Sequence, residues 1–229
     1  MYKDIELLSK KAPKDLKYDA DKSYEFAKDL KLVTIGYNEV KRYSSLLPII
    51  ISGGNVQEFT LFCAFPWQEN IFYKEKSKLI DIPLLLRAYP FLMVDAKEEG
   101  NEKKKFRAVA IDKTAFGADK SIPLFENDEL SSYTKQKIKL AEELDRNRFG
   151  AKLLIDELKK HNLLIKRSFD IKVKENESKT ILSDFYVVDK EKLYKLDDKL
   201  LVNWAKKGWL HIIEAHIESI ENITKLLRD

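Results

Sequence analysis

The stretch that decides the fold is DIPLLLRAYPFLMVD, residues 81–95. Asp81 predicts a helix N-cap, and Pro83 falls in the first turn, where a missing backbone N–H costs little. Pro90 cannot donate to a helix ladder and disfavours helical geometry at the residue before it. We therefore expect the helix to end at Pro90 and the chain to continue as a strand through the apolar residues 91–94.

A fainter copy of this pattern lies upstream in NEVKRYSSLLPIIISG, residues 38–53. Asn38 is its expected cap, Pro48 ends its helix, and the β-branched residues 49–51 form its strand. Pro48 and Pro90 are 90 − 48 = 42 residues apart, and a second strand is predicted after each unit. The pattern indicates two equivalent helix-Pro-strand-strand units, with the prolines at matching helix-to-strand junctions.

The second half of the chain predicts a long helix over about 132–160, then a hairpin, then C-terminal helices. Arg148 falls near the middle of the long helix's apolar stripe. His216 lies on the expected stripe of the last helix, which is formed by Leu210, Ile213, Ile217, Ile220 and Leu227. We predict an α+β fold, in which a mixed or antiparallel sheet is built largely from the two repeated units and carries the later helices.

The domain organisation follows from these patterns. Residues 1–24 are rich in Lys and Asp and are expected to form an N-terminal arm. Residues 25–229 are expected to form a single domain, in which 25–112 is the duplicated half and 131–229 is the helix-hairpin-helix half.

Composition and charge exclude some classes of function. The 42 basic and 38 acidic residues are interspersed and give a net charge of only +4, which argues against a dedicated nucleic-acid binder. Cys63 is the only cysteine and shares an alternating apolar run with Phe59, Leu61 and Phe65, which predicts a buried, reduced thiol. No signal peptide or transmembrane segment is predicted, so a cytoplasmic location is expected and export without a cleaved signal stays open.

The sequence predicts no catalytic cluster, no metal site and no cofactor. His211 and His216 are five residues apart, about 140° around a helix, whereas helical zinc motifs use a spacing of four. His216, with Ser219 at its edge, reads as a core histidine bonded to a backbone carbonyl or as a functional group. Arg148 reads as one member of an ion pair, with Asp145 or Asp112 as its partner, or as part of an anion or ligand pocket.

A resemblance to a known family is carried by R-x-Y-P-F, formed here by Arg87, Tyr89, Pro90 and Phe91. It continues in order through Ile111-Asp112, Pro123-Leu124-Phe125, a Phe185-Tyr186 segment, and an A-H-x-x-S-x-x-N pattern at Ala215, His216, Ser219 and Asn222. This sequence resembles the SapC-like, surface-layer-associated bacterial proteins over roughly residues 26–227. It departs from them in its high Lys content and in Ile217 and Ile220, where leucines are expected.

Two functions from different classes remain. The resemblance implies a non-catalytic accessory protein that serves surface-layer protein production or export, with surface-layer subunits as candidate partners. The repeated units would then offer a sheet edge or a groove to an extended partner segment. The alternative is an enzyme or small-molecule-binding protein with a pocket around Arg148 and His216. The candidate binding residues are Arg87, Tyr89, Arg148, His216 and Ser219. Oligomeric state is left open.

Overall fold

The computed structural model describes residues 1–9, 12–19, 24–53, 58–73, 81–98, 101–117, 119–174 and 177–226. It combines helices with several antiparallel sheets, which confirms the predicted α+β class.

The N-terminal residues are part of the packed structure. They supply β1 (Ile5–Leu7) and β2 (Lys17–Tyr18), and β3 (Leu32–Thr34) follows. Ile5 pairs with Asp112 in an antiparallel ladder, and the side chain of Tyr18 is fully buried. The described part of residues 1–24 is therefore no arm, because its strands and its tyrosine complete a sheet and a hydrophobic cluster.

Both predicted units have the expected order of elements. The first consists of α1 (Tyr37–Tyr43), β4 (Ile49–Ser52) and β5 (Phe59–Phe62). The second consists of α2 (Leu84–Ala88), β6 (Phe91–Glu98) and β7 (Asn101–Asp112). Pro48 and Pro90 each directly precede the first strand of their unit, as predicted.

The expected helix caps are wrong, and one buried carboxylate replaces both. The N-cap residues are Gly36 and Pro83 instead of Asn38 and Asp81. Glu39 on α1 accepts a hydrogen bond from Gly36 N at 2.9 Å and, through its other oxygen, from Leu84 N at 2.9 Å. This carboxylate therefore satisfies the start of its own helix and the start of α2, and it ties the two units together.

The segment between the units and the long helix contains short strands. These are β8 (Phe116–Gly117), β9 (Ile122–Pro123), β10 (Phe125–Glu126) and β11 (Glu129–Leu130). The first two flank β2, and the last two form a small hairpin. Leu124 is fully buried beneath them and belongs to the same hydrophobic cluster as Tyr18, so this segment is anchored to the core.

The long helix and the hairpin that follows it are where the sequence places them. The elements are α3 (Ser132–Lys160), β12 (Leu164–Lys174) and β13 (Glu177–Val188). Ser131 caps α3 by accepting a hydrogen bond from Thr134 N at 3.2 Å. Glu175, the expected start of the hairpin turn, lies outside the described residues.

The C-terminal helices differ in one respect from the prediction. They are α4 (Lys190–Leu193), α5 (Asp198–Lys206), α6 (Trp209–Ser219) and, after a 3-10 turn at Ile220–Asn222, α7 (Ile223–Leu226). The inner face of α6 consists of Ile212, Ile213, Ala215, His216 and Ser219. Leu210, Ile217 and Ile220 are only half-buried, because the helix is rotated relative to the predicted stripe.

The two repeated units do not build one sheet. The first hairpin lies in a five-stranded sheet of order β12-β13-β4-β5-β3, and the second lies in a three-stranded sheet of order β1-β7-β6. The reason is long-range pairing, because β4 pairs with β13 and β7 pairs with β1. All four residues of β5 are buried, including the polar Thr60. Cys63 is buried as predicted, and burial raises the pKa of its thiol.

Candidate functional site

Arg148 lies at the surface end of the α3 stripe and is paired with a glutamate that the sequence did not indicate. Its Nε donates to Glu58 Oε1 at 2.7 Å, and Thr34 Oγ1 donates to Glu58 Oε2 at 3.3 Å. The Arg148 side chain is 38% exposed and that of Glu58 is 18% exposed. The predicted ion pair is therefore present, but it is partly exposed and its carboxylate is Glu58 instead of Asp145 or Asp112.

His216 and Ser219 lie in the core and join α6 to the five-stranded sheet. His216 Nε2 accepts a hydrogen bond from Val188 N at 3.2 Å, so its backbone partner is an N–H group instead of the expected carbonyl. Ser219 Oγ accepts from Ile49 N at 3.0 Å and donates to the carbonyl of His216 at 2.6 Å. Burial lowers the pKa of His216 to about 4, and an interaction with the backbone of Ile49 offsets part of this effect.

Arg148 and His216 do not share a pocket, because they contact opposite faces of the same strand. Glu58, which binds Arg148, is followed directly by Phe59, whose ring centroid lies 5.8 Å from that of His216. Successive side chains along a strand point to opposite faces of the sheet. The expected pocket around both residues is therefore absent from the described part of the chain.

Arg87 and Tyr89 lie just before the helix-to-strand junction at Pro90. The Tyr89 hydroxyl donates to Asp112 Oδ2 at 3.2 Å, and its ring stacks on Phe26 with a centroid distance of 4.1 Å. Arg87 occupies the last turn of α2, and its carbonyl accepts a hydrogen bond from Lys137 Nζ at 2.6 Å.

Asp112, the last residue of β7, is a buried acceptor that holds the N-terminus in place. It receives hydrogen bonds from Lys3 N, Asp4 N, the Tyr89 hydroxyl, and both the backbone N and the hydroxyl of Thr114. Burial alone would raise the pKa of this carboxyl, but the hydrogen bonds from Thr114, Lys3 and Asp4 outweigh burial and lower it. The group is charged and structural.

We expect Asp112→Asn to lower the free energy of unfolding by about 2 kcal/mol at pH 7, because an amide nitrogen would face buried donors that need an acceptor. Tyr89→Phe, which removes only one donor, is the matched control and should cost less. Because the folded-state pKa is lowered, this stabilisation is present above the unfolded-state pKa and is lost as the pH falls through the folded-state value. Denaturant titration of both variants measures the difference. Equal losses of unfolding free energy in the two variants would contradict the role of Asp112 as the acceptor for several buried donors.

A cleft lies between the edges of the two sheets, and we call it the inter-sheet cleft. Its volume is about 230 Å³. Its walls include Leu32 and Thr34 on β3, Leu92 and Met93 on β6, and Leu144 and Arg148 on α3. The rest of the lining consists of the N-terminal residues Met1 and Tyr2 together with Leu30, Leu85, Ala141 and Asp145. No sequence pattern identified this cleft, because its two strands are 60 residues apart and only the packing of α3 brings them together. The only local indication was the alternation of burial along β3, where Val33 is fully buried between the more exposed Leu32 and Thr34.

The charged groups that border the inter-sheet cleft are paired with one another. Arg148 is bound to Glu58. Asp145 is bound to Arg107, which also donates to Asp95 Oδ1 at 2.9 Å and to the carbonyl of Met93 at 2.9 Å. The cleft therefore combines an apolar interior with a rim whose guanidinium groups are already neutralised.

A comparison with protein-family models gives a match to SapC over residues 8–226. The chain belongs to the SapC family. Comparisons with curated proteins and with solved structures gave no match. In this SapC chain, Tyr89, Asp112, His216 and Ser219 of the family pattern all make internal hydrogen bonds.

The described residues contain no group of three or more His, Cys, Asp or Glu side chains placed to hold a metal ion. Within the same residues, every helix is too short or too polar to cross a membrane.

The exposure of Arg148 in this SapC chain sets the expected effect of its removal. Arg148→Met keeps the aliphatic stem and deletes the charge. We expect a loss of about 1 kcal/mol in the free energy of unfolding, because water screens a pair of this exposure. Glu58→Gln is the matched variant, and a double-mutant cycle measures the coupling. A loss of about 3–5 kcal/mol for Arg148→Met would show instead that the pair is fully desolvated.

Proposed function

We propose that this SapC-family chain is a non-catalytic accessory protein that binds another protein. The family resemblance associates that partner with the bacterial surface layer, so a surface-layer subunit in production or export is the proposed partner. The observation that carries the proposal is the inter-sheet cleft, where the edges of two sheets face each other across an apolar space. Exposed sheet edges beside apolar pockets are used to bind extended polypeptide segments.

The charge of the inter-sheet cleft supports a polypeptide partner over an acidic metabolite. Arg148, the residue that would attract an anion, already binds Glu58. A bound metabolite would have to displace that carboxylate, whereas apolar side chains of a polypeptide would leave the pair intact.

The positions of the chemically capable residues support a non-catalytic role. His216 and Ser219 are fully buried, and both are used to hold α6 on the sheet. Asp112 is also fully buried and holds the N-terminus. These groups act as structural ties in the described residues, where none of them reaches solvent.

The test is a pull-down with the immobilised full chain and purified surface-layer subunits. Wild type should retain a subunit, and Leu32→Glu, which places a charge in the cleft, should lose at least about 90% of it. Leu153→Glu is the control, because Leu153 is 46% exposed on α3 outside the cleft, against 37% for Leu32. Absence of enrichment by wild type, or equal loss in both variants, would reject the proposal.

A second candidate is a small-molecule-binding protein or an enzyme, and a different cavity favours it. A groove of about 580 Å³ lies beside β7, the β10–β11 hairpin and the start of α3. It is lined mainly by the apolar residues Leu8, Val109, Phe125, Leu130 and Ile138. Thermal-shift screening tests this candidate, since a ligand at 100 times its dissociation constant adds about 2.7 kcal/mol to stability. Phe125→Ala should abolish any shift that arises in this groove.

A further inference from the structure

The two strands that face the inter-sheet cleft differ in what their outer edges offer. On β3, Lys31 O accepts a hydrogen bond from Cys63 N at 2.8 Å, and Ile35 N donates to Phe59 O at 2.9 Å. In an antiparallel ladder, alternate residues direct both backbone groups at the partner strand. Lys31, Val33 and Ile35 therefore face β5, so the N–H and C=O groups of Leu32 and Thr34 point outward.

The corresponding edge of β6 is closed by side chains. Asp112 N donates to Pro90 O at 3.0 Å, so the same alternation directs the backbone of Phe91 and Met93 outward. The carbonyl of Phe91 accepts a hydrogen bond from the Tyr2 hydroxyl at 3.0 Å, and that of Met93 accepts from Arg107 Nη2 at 2.9 Å. An added strand would have to break both bonds to pair with β6.

We propose that β3 is the docking edge and that an extended, uncharged segment of a partner polypeptide adds to it as a further strand. Its backbone pairs with Leu32 and Thr34, and alternate side chains enter the apolar space against Leu92, Met93 and Leu144. Among the described residues, no strand other than β5 pairs with β3. This inference rests on the proposed function and gives it a binding mode.

Charge complementarity selects the chemistry of the segment. Arg148 is paired with Glu58, and Arg107 with Asp95 and Asp145. A charged side chain entering the cleft would lose its hydration and meet no unpaired opposite charge among these groups, so apolar or small neutral side chains fit best.

The first experiment uses peptides as probes of the full chain. The parent is an acetylated and amidated eight-residue peptide of alternating Val and Ser, labelled for fluorescence anisotropy. Two derivatives carry N-methyl groups on all valines or on all serines. A strand paired on one side directs only alternate N–H groups at β3, so one derivative should bind at least about 10-fold more weakly than the other. Equal affinities of the derivatives, or no binding of the parent, would overturn the proposal.

The second experiment isolates the backbone of Leu32. Leu32→Pro and Leu32→Ala both remove the leucine side chain, but only proline removes the N–H group. Because that N–H points away from β5, proline leaves the existing ladder intact, as it does on natural edge strands. Leu32→Pro should bind the parent peptide about 10-fold more weakly than Leu32→Ala at equal thermal stability. Equal binding overturns strand addition, and if Leu32→Pro fails to fold, the N-methyl comparison decides.

The two tests can fail separately. The peptide assays contain no surface-layer subunit, so strand addition to β3 can be confirmed while the pull-down rejects that partner. A positive pull-down with equal binding of the N-methylated peptides would keep the partner and reject the docking edge.

Discussion

Replacing Gly36 by alanine should lower the free energy of unfolding by about 3 kcal/mol, because the added methyl group has no room. A Cβ at this position would lie 2.3 Å from Asn147 Cβ and 3.4 Å from Asn147 Cα. Both atoms are held by the backbone of α3, so the clash cannot be relieved by rotating a flexible side chain. Accommodation requires α1 and α3 to move apart, which disturbs the core between them.

The control for Gly36→Ala is Gly208→Ala. Gly208 has φ of 72°, and no atom lies within 4 Å of a Cβ built there. Its replacement should therefore cost only about 1 kcal/mol, through backbone strain. Adding Asn147→Gly to Gly36→Ala restores the missing space, so the double variant should be more stable than the sum of the single effects predicts. A Gly36→Ala cost no greater than that of Gly208→Ala would contradict the close approach.

The same crossing of helices links the fold to the inter-sheet cleft. Asn147 is the residue before Arg148, and Asn38 Nδ2 donates to Asn147 Oδ1 at 2.8 Å. Tyr37 packs on Gly150 one turn further along α3, where a Cβ would lie 2.6 Å from its ring. A displacement of α3 at this crossing moves Leu144 and Arg148 together, so Gly36→Ala should also weaken binding in the cleft.

Local rules predicted the elements well. The bounds of α3, the strand starts after Pro48 and Pro90, and the burial of Cys63 all follow from interactions among residues close in sequence. Each depends on a cap, a missing N–H group or an alternating apolar run, and none of these needs a distant partner.

Long-range pairing is what the sequence could not supply. Glu39 bonds to Leu84 across 45 residues, and Arg148 bonds to Glu58 across 90. The separation of the two hairpins into different sheets follows from the pairing of Ile51 with Tyr186, which no local pattern encodes. The inter-sheet cleft is created by these same pairings, so it could not be predicted before the sheets were known.

Lowering the pH from 7 to 4.5 should destabilise the protein through His216 by about 2 kcal/mol. The unfolded imidazole binds a proton as the pH falls below about 6.5, whereas the folded ring stays neutral until about pH 4. The unfolded state therefore binds more protons in this interval, so the stability contributed by the neutral ring is complete above about pH 6.5 and declines toward pH 4. A difference of one pKa unit corresponds to about 1.4 kcal/mol.

His216→Gln is the informative variant, because a glutamine oxygen can accept the hydrogen bond from Val188 N and cannot titrate. Between pH 7 and 4.5, the unfolding free energy of this variant should change by about 2 kcal/mol less than that of wild type. His211→Gln is the control, because it makes the same substitution at an exposed position of the same helix. If the unfolding free energies of wild type and His216→Gln changed equally with pH, His216 would be accessible to protons in the folded state.

His216→Gln also tests whether the core around His216 affects binding in the inter-sheet cleft. His216 and Ser219 act on the face of β5 that carries Phe59, whereas Arg148 and Glu58 lie on the other face. His216→Gln should therefore keep the affinity of wild type for the Val-Ser peptide at pH 7, where both proteins are folded. If His216→Gln weakened peptide binding at unchanged thermal stability, the two faces of the sheet would be coupled, and His216 would belong with Leu32 and Thr34 as a positioning residue for the docking edge.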